Sequence, residues 1–138
     1  MKVLLVDDNK TTRILIPELL KKKQSSLAEG VVIDTCASGE DCLKVFRDYD
    51  VIVMDWNLEG MSGVETCQRI RELSNGQSPI VIILTGKHDR YEDEQVYKSG
   101  ARHFLDKFDP DMLYKLLWNL RLAENHLQRR GMRSLATA

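Results

Sequence analysis

The chain has 138 residues, of which 43% are hydrophobic and 30% are charged, as expected of one soluble globular domain and not of a disordered chain. Its formal net charge of −1 gives no overall electrostatic reason to expect direct binding to nucleic acid. No apolar stretch approaches the ~20 residues of a membrane span, and no signal peptide is visible, so a cytoplasmic protein without membrane contact is expected. Three cysteines, Cys36, Cys42 and Cys67, lack metal-type spacing and are expected to be reduced, partly buried thiols.

Short apolar runs alternate with amphipathic segments along the chain. The predicted elements are strand 3–7, helix 10–23, strand 31–36, helix 38–48, strand 51–55, helix 63–73, strand 80–85, helix 89–99, strand 102–106 and helix 109–128. Five βα units with nearly continuous apolar strands predict an α/β fold, in which helices cover both faces of a parallel sheet.

Local signals place several helix boundaries. Ser38 is the expected N-cap of the second helix, and Gly100 stands where the helix over 89–99 should end. Asp109 and Pro110 are the expected cap and first helical position of the last helix. Pro17 falls inside the first helix and predicts either a kink at residues 13–17 or a helix that begins late.

The last helix carries a long apolar stripe. Its members are Leu113, Leu116, Leu117, Leu120, Ala123 and Leu127. The end of this stripe has no strand left to cover, which favours pairing with another chain or continuation into a further domain. The predicted organisation is therefore one domain over 1–124, followed by a C-terminal helix extension or linker over 125–138.

Polar residues follow four of the apolar runs. Asp7 and Asp8 follow the first, Asp55 and Thr85 end the runs over 51–55 and 80–85, and Lys107 follows the last. In a parallel sheet these groups meet at the carboxyl edge, where open α/β folds place their sites. Three carboxylates would repel one another there unless a cation lay among them, and oxygen ligands favour Mg²⁺.

This set of residues suggests phosphoryl chemistry. Asp8 and Asp55 could ligate Mg²⁺ directly while Asp7 holds a metal-bound water. Asp55 could then act as a carboxylate nucleophile that accepts a phosphoryl group as an aspartyl phosphate. Lys107 would neutralise charge, and Thr85 would donate its hydroxyl to a phosphoryl oxygen.

The same residues resemble the receiver domain of two-component response regulators, of the chemotaxis-regulator type. The motifs that match the family in order and spacing, over about residues 1–124, are Asp7-Asp8, Met54-Asp55-Trp56-Asn57, Gly63, Thr85-Gly86 and Lys107. The resemblance implies a flavodoxin-like fold with strand order 2-1-3-4-5, here with an extended C-terminal helix.

The resemblance also implies roles for individual residues. Asp55 would be the phosphoacceptor, and Thr85 and Lys107 would sense the phosphoryl group. Phe104 would occupy an aromatic switch position. Mg²⁺ would be held by Asp7, Asp8, Asp55 and the backbone carbonyl of Asn57.

The implied activity is that of a signalling domain and not of an enzyme beyond self-directed phosphotransfer and autodephosphorylation. The phosphodonor would be a histidine kinase or a histidine phosphotransfer protein, or a small acyl phosphate in vitro. Phosphorylation would switch a partner- or dimer-binding face, with a homodimer through the last helix as one outcome. The chain would either work alone, like a chemotaxis-type regulator, or belong to a longer protein.

Two residues depart from the family pattern, in which proline usually stands four residues after the phosphoacceptor and directly after the lysine. Here those positions are Glu59 and Phe108. A cis bond before a residue other than proline costs about 2.5–4 kcal/mol, so the Lys107–Phe108 bond is expected to be trans, and the Lys107 loop could sit differently.

Three other functions stay open at this point. The first is a receiver-like interaction module that is not phosphorylated. The second is a metal-dependent phosphohydrolase with Asp7 as nucleophile, although its Asp-x-Asp-x-Thr motif is broken by Asn9. The third is a flavin- or nucleotide-binding protein, which the missing glycine-rich loop after the first strand disfavours.

Overall fold

The computed structural model describes residues 1–23, 30–75, 78–86, 94 and 98–136, with side chains described as far as residue 131. The five strands in these residues are β1 (Lys2–Val6), β2 (Val32–Cys36), β3 (Val51–Asp55), β4 (Ile80–Thr85) and β5 (His103–Asp106). The α-helices are α1 (Lys10–Lys22), α2 (Gly39–Val45), α3 (Gly63–Leu73) and the C-terminal helix α4 (Met112–Ala136), with a 3₁₀ turn at Phe46–Asp48. None of these helices combines the length and the apolar character that crossing a membrane requires.

The strands form one parallel sheet in the order β2-β1-β3-β4-β5, which confirms the predicted α/β, flavodoxin-like topology. The register aligns the strand ends that carry polar residues. Asp55 is paired with Leu84, one residue before Thr85, and Thr85 is paired with Asp106, one residue before Lys107. The sheet therefore places these residues at a single edge.

Two apolar layers enclose the sheet, because alternate residues of each strand point to opposite faces. On one face, strand residues such as Leu5 and Val53 pack with Leu116 and Leu120 of α4. On the other, strand residues pack with α2 and α3, and this layer includes Leu4, Ile52, Ile83, Cys42, Cys67 and Ile70. All three cysteines are free thiols, and burial raises the pKa of Cys42 to about 12. The sheet is thus fixed from both sides by apolar burial.

The first helix starts where the pattern over 10–23 predicts, and the last helix does not start where predicted. The side chain of Asn9 accepts from the Thr12 N–H, so α1 begins at Lys10, and the expectation of a late start is wrong. The kink at residues 13–17 stays a prediction. The last helix begins at Met112 and not at 109, because Asp109 Oδ1 accepts from the Asp111 N–H in a turn that precedes the helix.

Other boundary predictions are met. Ser38 caps α2 by accepting from the Asp41 N–H, and Gly100 adopts φ +89°, the left-handed conformation expected at the end of a helix. The predicted helix over 89–99 falls largely outside the described residues, although Glu94 and Lys98 are helical. The C-terminal helix continues to Ala136, past the predicted end at 128.

Candidate functional site

Backbone hydrogen bonds hold the strand ends together at the carboxyl edge of the sheet. The Asp7 N–H donates to the Cys36 carbonyl at 3.2 Å, and the Lys107 N–H donates to the Thr85 carbonyl at 2.8 Å. Directly after Asp55, the next backbone N–H donates to the carbonyl of Leu84, also at 2.8 Å. The loops that leave the strands therefore start from fixed positions, as a prepositioned site requires.

Lys107 and Asp55 form the central contact of this edge. Lys107 Nζ donates to Asp55 Oδ2 at 2.9 Å and lies 3.7 Å from Asp7 Oδ2. Asp7 is fully buried and the Asp55 side chain is 6% exposed, while that of Lys107 is 26% exposed. One ammonium group thus bridges two buried carboxylates.

Three carboxylates converge beside this lysine. One oxygen from each of Asp7, Asp8 and Asp55 lies within 4.8 Å of the others. Backbone amides bind part of each group: Asp7 Oδ1 accepts from Asn9, Asp55 Oδ1 from Asn57 and Asp8 Oδ2 from Glu59. The predicted acidic cluster is therefore assembled in space.

Burial and neighbouring charges shift the pKa values of Asp55 and Lys107. Burial raises the pKa of Asp55; the hydrogen bond from Lys107 opposes that shift, and the charge of Asp7 adds to it. Burial also works to lower the pKa of Lys107, but the hydrogen bond and charge of Asp55 outweigh it, and the pKa is raised. The lysine is held in its charged form by the same carboxylates that it neutralises.

The Lys107 ammonium alone does not neutralise the three carboxylates of this edge. Asp7 Oδ2 is buried and, within the described part of the chain, accepts no hydrogen bond. An unsatisfied buried carboxylate oxygen costs free energy, and a divalent ion with oxygen ligands satisfies such an atom. The donor set therefore fits Mg²⁺. The Asn57 carbonyl as a fourth ligand stays a prediction.

Two other predicted site residues lie on the neighbouring strands β4 and β5. Thr85 is buried with 1% exposure at the end of β4. Phe104 on β5 is half-buried and packs against the core layer that includes Met54 and Ile83. An aromatic residue thus connects the strand that precedes Lys107 with the sheet's interior.

The two departures from the family pattern lie next to site residues. The Lys107–Phe108 peptide bond is trans, as predicted, and Lys107 Nζ is within hydrogen-bonding distance of Asp55. The Phe108 ring is 77% exposed and lies against Gly86, whose added Cβ would come within 2.8 Å of it. Glu59 contributes its backbone N–H to Asp8.

Sequence reasoning missed two supports of the site. Arg13 donates from Nη1 to the backbone carbonyl of Asp7 at 2.8 Å and so ties α1 to the end of β1. Glu40 accepts from the Met61 N–H, next to Gly60, which adopts φ +77° in the loop after β3. No local sequence signal distinguishes Arg13 or Glu40 from other charged helical residues.

Gly63 is a third support, noted in the sequence as part of the family pattern but not for its contact. A Cβ at this position would lie 2.3 Å from the backbone carbonyl oxygen of Asp55. Only glycine lets α3 start this close to the end of β3.

Comparison with known proteins agrees with this geometry. The family model of the response regulator receiver domain matches residues 3–117. The transcriptional regulatory protein AfsQ1 of Streptomyces coelicolor is 36% identical over 107 residues, which cover 76% of this chain and 44% of that protein. The probable chemotaxis protein CheY of Rhizobium etli is 30% identical over 112 residues, 78% of this chain and 81% of that protein. The chain spans about half the length of the first curated relatives that it matches.

A solved structure extends the comparison to the fold. The receiver domain of the histidine kinase CKI1 from Arabidopsis thaliana, complexed with Mg²⁺ and BeF₃⁻, aligns with a TM-score of 0.72 at 25% identity. The alignment covers 90% of this chain and 89% of that one. The similarity therefore extends over nearly the whole of both chains.

Proposed function

Since the chain belongs to the response regulator receiver domain family, we propose that Asp55 is its phosphoacceptor and that phosphorylation requires Mg²⁺. One observation carries the proposal: Lys107 Nζ lies 2.9 Å from Asp55 within a cluster of three carboxylates. This is the arrangement that an aspartyl phosphate needs, because transfer depends on positioning and on neutralising charge. A receiver domain acts in signalling. We also propose that the phosphoryl group on Asp55 is removed by autodephosphorylation.

Asp7, Asp8 and Asp55 would hold the Mg²⁺ ion, together with the backbone carbonyl of Asn57. When bound, Mg²⁺ neutralises negative charge on the carboxylates and on the phosphoryl oxygens. The CKI1 receiver domain was solved with Mg²⁺ and BeF₃⁻ together. That pair of ligands supports the same site here, where Asp7 Oδ2 accepts no hydrogen bond from the described residues.

The residues of this chain then have defined parts in the transfer. A carboxylate oxygen of Asp55 attacks the phosphorus of a phosphohistidine, a new O–P bond forms, and the N–P bond breaks. The imidazole of the donor leaves with the bonding electron pair and takes up a proton from solvent. Lys107 moves its ammonium contact from the carboxylate to a phosphoryl oxygen, which offsets part of the charge of about −2 that the phosphoryl oxygens then carry.

The switch follows from which state binds the phosphoryl group better. Thr85 would donate its hydroxyl to a phosphoryl oxygen, and this new contact would shift the end of β4. The shift would reach β5 through the hydrogen bond from the Lys107 N–H to the Thr85 carbonyl. Phe104, packed against the interior beside this contact, would then change position. A population shift of this kind needs only a few kcal/mol of differential binding.

The proposed donor is a histidine kinase or a histidine phosphotransfer protein in the cytoplasm. Residues 1–124 would form the signalling unit, and 125–138 would be a helical extension toward an output partner. Transcriptional regulators and a chemotaxis protein are both among the relatives, so either a further domain or a separate protein could receive the signal.

A homodimer through the last helix is the proposed output contact. Tyr114 and Trp118 are each 62% exposed and Leu122 is 45% exposed, at four-residue spacing along α4. Trp118→Asp should shift a dimer toward the monomer in analytical ultracentrifugation, whereas Val45→Asp, on the opposite face of the sheet, should not. An equal monomer–dimer equilibrium in the two variants would contradict a dimer through Tyr114, Trp118 and Leu122.

Phosphorylation itself is tested by incubation with Mg²⁺ and a small acyl phosphate. Intact-protein mass spectrometry should detect one base-labile phosphoryl group, which is absent from Asp55→Asn and absent in EDTA. Asp48→Asn, at an exposed position outside the site, is the matched control and should keep the adduct.

An adduct retained in Asp55→Asn would assign the phosphoacceptor elsewhere. Binding of Mg²⁺ without any adduct would favour the interaction module that is not phosphorylated. No observation of the site or of the relatives favours Asp7 as the nucleophile of a phosphohydrolase.

A further inference from the structure

A second polar region lies at the opposite, amino-terminal edge of the sheet. A cleft of about 480 Å³ opens there between the starts of β3 and β4, the 3₁₀ turn and the end of α4. Asp50, directly before β3, lines it, and Asp55 ends the same strand. Five residues of extended strand separate the two regions by about 16 Å, so this cleft is not part of the acidic site.

The lining of the cleft is basic. Arg47, Arg102 and Arg130 contribute three guanidinium groups and His126 an imidazole, against the single carboxylate of Asp50. Asp50 Oδ2 already accepts from the backbone N–H of Lys2 at 2.8 Å. The cleft therefore presents excess positive charge on a chain whose formal net charge is −1.

Most of this charge is not used within the fold. Among the described residues, Arg102 and Arg130 form no salt bridge. Arg47 donates from Nη2 to the Leu73 carbonyl at 3.0 Å, which orients its guanidinium while using one of five N–H donors. Arginines without carboxylate partners are suited to bidentate recognition of phosphate.

The C-terminal helix supplies one wall of the cleft with residues beyond the family match. His126 and Arg130 lie one turn apart on α4, and the match to the family model ends at residue 117. The buried residues Phe46 and Pro79 form part of its lining. The cleft has the size of a small-molecule site and an apolar portion beside its arginines.

We propose that this basic cleft binds a small phosphate-bearing anion, such as an organic phosphate ester or diphosphate, and that the ligand links the end of α4 to the sheet. A recessed cleft of this size, with a lining that is only partly charged, suits a small molecule better than a polymer. The proposal is independent of phosphorylation at Asp55.

The test measures binding of inorganic pyrophosphate by isothermal titration calorimetry in EDTA, with the binding region mapped by amide NMR shifts. Without metal, the acidic edge repels the probe, so it reports on the basic cleft. Arg130→Gln and Arg102→Gln should each weaken binding about tenfold, the loss expected for a charge-assisted hydrogen bond. Arg121→Gln, on the same helix but outside the cleft, removes the same charge and should leave binding unchanged.

Several results would overturn the proposal. Equal weakening by Arg121→Gln would mean that pyrophosphate responds only to overall charge. Citrate binding as tightly as pyrophosphate would remove the assignment to phosphate, and shifts confined to the strand ends near Asp55 would place the probe elsewhere. Arg130 is exposed on a helix, so its loss should leave the circular dichroism spectrum and melting temperature unchanged and keep the test interpretable.

Discussion

The two edges of the sheet hold their charges in opposite ways. At the carboxyl edge, Asp7 and Asp55 are buried and share Lys107, whose ammonium lies within 3.7 Å of both. At the amino edge, Arg102 and Arg130 are exposed, and water solvates them. Buried charges need partners within the fold, whereas exposed charges are solvated by water and can also bind a ligand. Substitutions of charged residues at the first edge should therefore change stability, and substitutions of the exposed arginines at the second should change binding alone.

Among changes at the acidic edge, the largest effect is expected where its backbone is most crowded. Gly63→Ala would place a Cβ 2.3 Å from the Asp55 carbonyl oxygen, which forces α3 away from β3. We expect a loss of about 3 kcal/mol or more in the free energy of unfolding, measured in urea, since overpacking of this kind is costly. Gly131→Ala is the control: it has no neighbour within 4 Å, lies within α4, and should gain about 0.5–1 kcal/mol. Similar changes in both variants would contradict the close approach at Gly63.

Removing one positive charge from each edge compares them directly. Lys107→Met leaves Asp7 and Asp55 without their shared cation and should lower the free energy of unfolding in EDTA by about 1–3 kcal/mol. The exposed part of Lys107 keeps the value below that of a fully buried pair. Arg102→Met at the basic edge should change it by less than about 0.5 kcal/mol.

Mg²⁺ would sharpen this comparison, because its proposed site exists only in the folded state. Saturating Mg²⁺ should stabilise Lys107→Met more than Arg102→Met, because loss of the lysine leaves more uncompensated carboxylate charge for the ion to neutralise. If the two variants lost equal stability in EDTA, the contrast between buried and exposed charge would be wrong.

A smaller effect of opposite sign is expected at Asp7. Asp7→Asn removes a buried negative charge next to Asp55 and should raise the metal-free stability by about 1 kcal/mol, as relief of repulsion between like charges. The same change should weaken Mg²⁺ binding about tenfold or more, measured by titration calorimetry. Asp48→Asn, exposed and distant, should change neither quantity. A metal-free loss of stability in Asp7→Asn would show that its amide contact from Asn9 outweighs the repulsion.

The acidic edge could be predicted from the sequence, and the basic edge could not. Each acidic residue directly ends or follows an apolar strand, so strand order alone brings Asp7, Asp55 and Lys107 together. The arginines of the cleft come from a 3₁₀ turn, a strand start and a helix end, and nothing local marks them. Their proximity follows only from tertiary packing.

Finer details of the acidic edge also needed the structure. The sequence does not tell which member of the pair is buried, and Asp7 is buried while Asp8 is exposed. Asp109 and Pro110 fit a helix start and a preceding turn equally well, and the hydrogen bond to Asp111 selects the turn. The fold was thus predictable from strand and helix patterns, whereas burial of single side chains depends on neighbours distant in sequence.

The smallest effect is expected for Phe108, which lies at the acidic edge but is exposed. Because water already surrounds most of its ring, Phe108→Ala should change the free energy of unfolding by less than about 0.5 kcal/mol. Phe46→Ala removes a ring of the same size that is 1% exposed and should cost about 3–5 kcal/mol in the same urea titration. Phe108 lies against Gly86, beside Thr85, so a loss above 1 kcal/mol would mean that this contact is structural. A small loss would show that burial, and not position at either edge, decides which side chains hold the fold together.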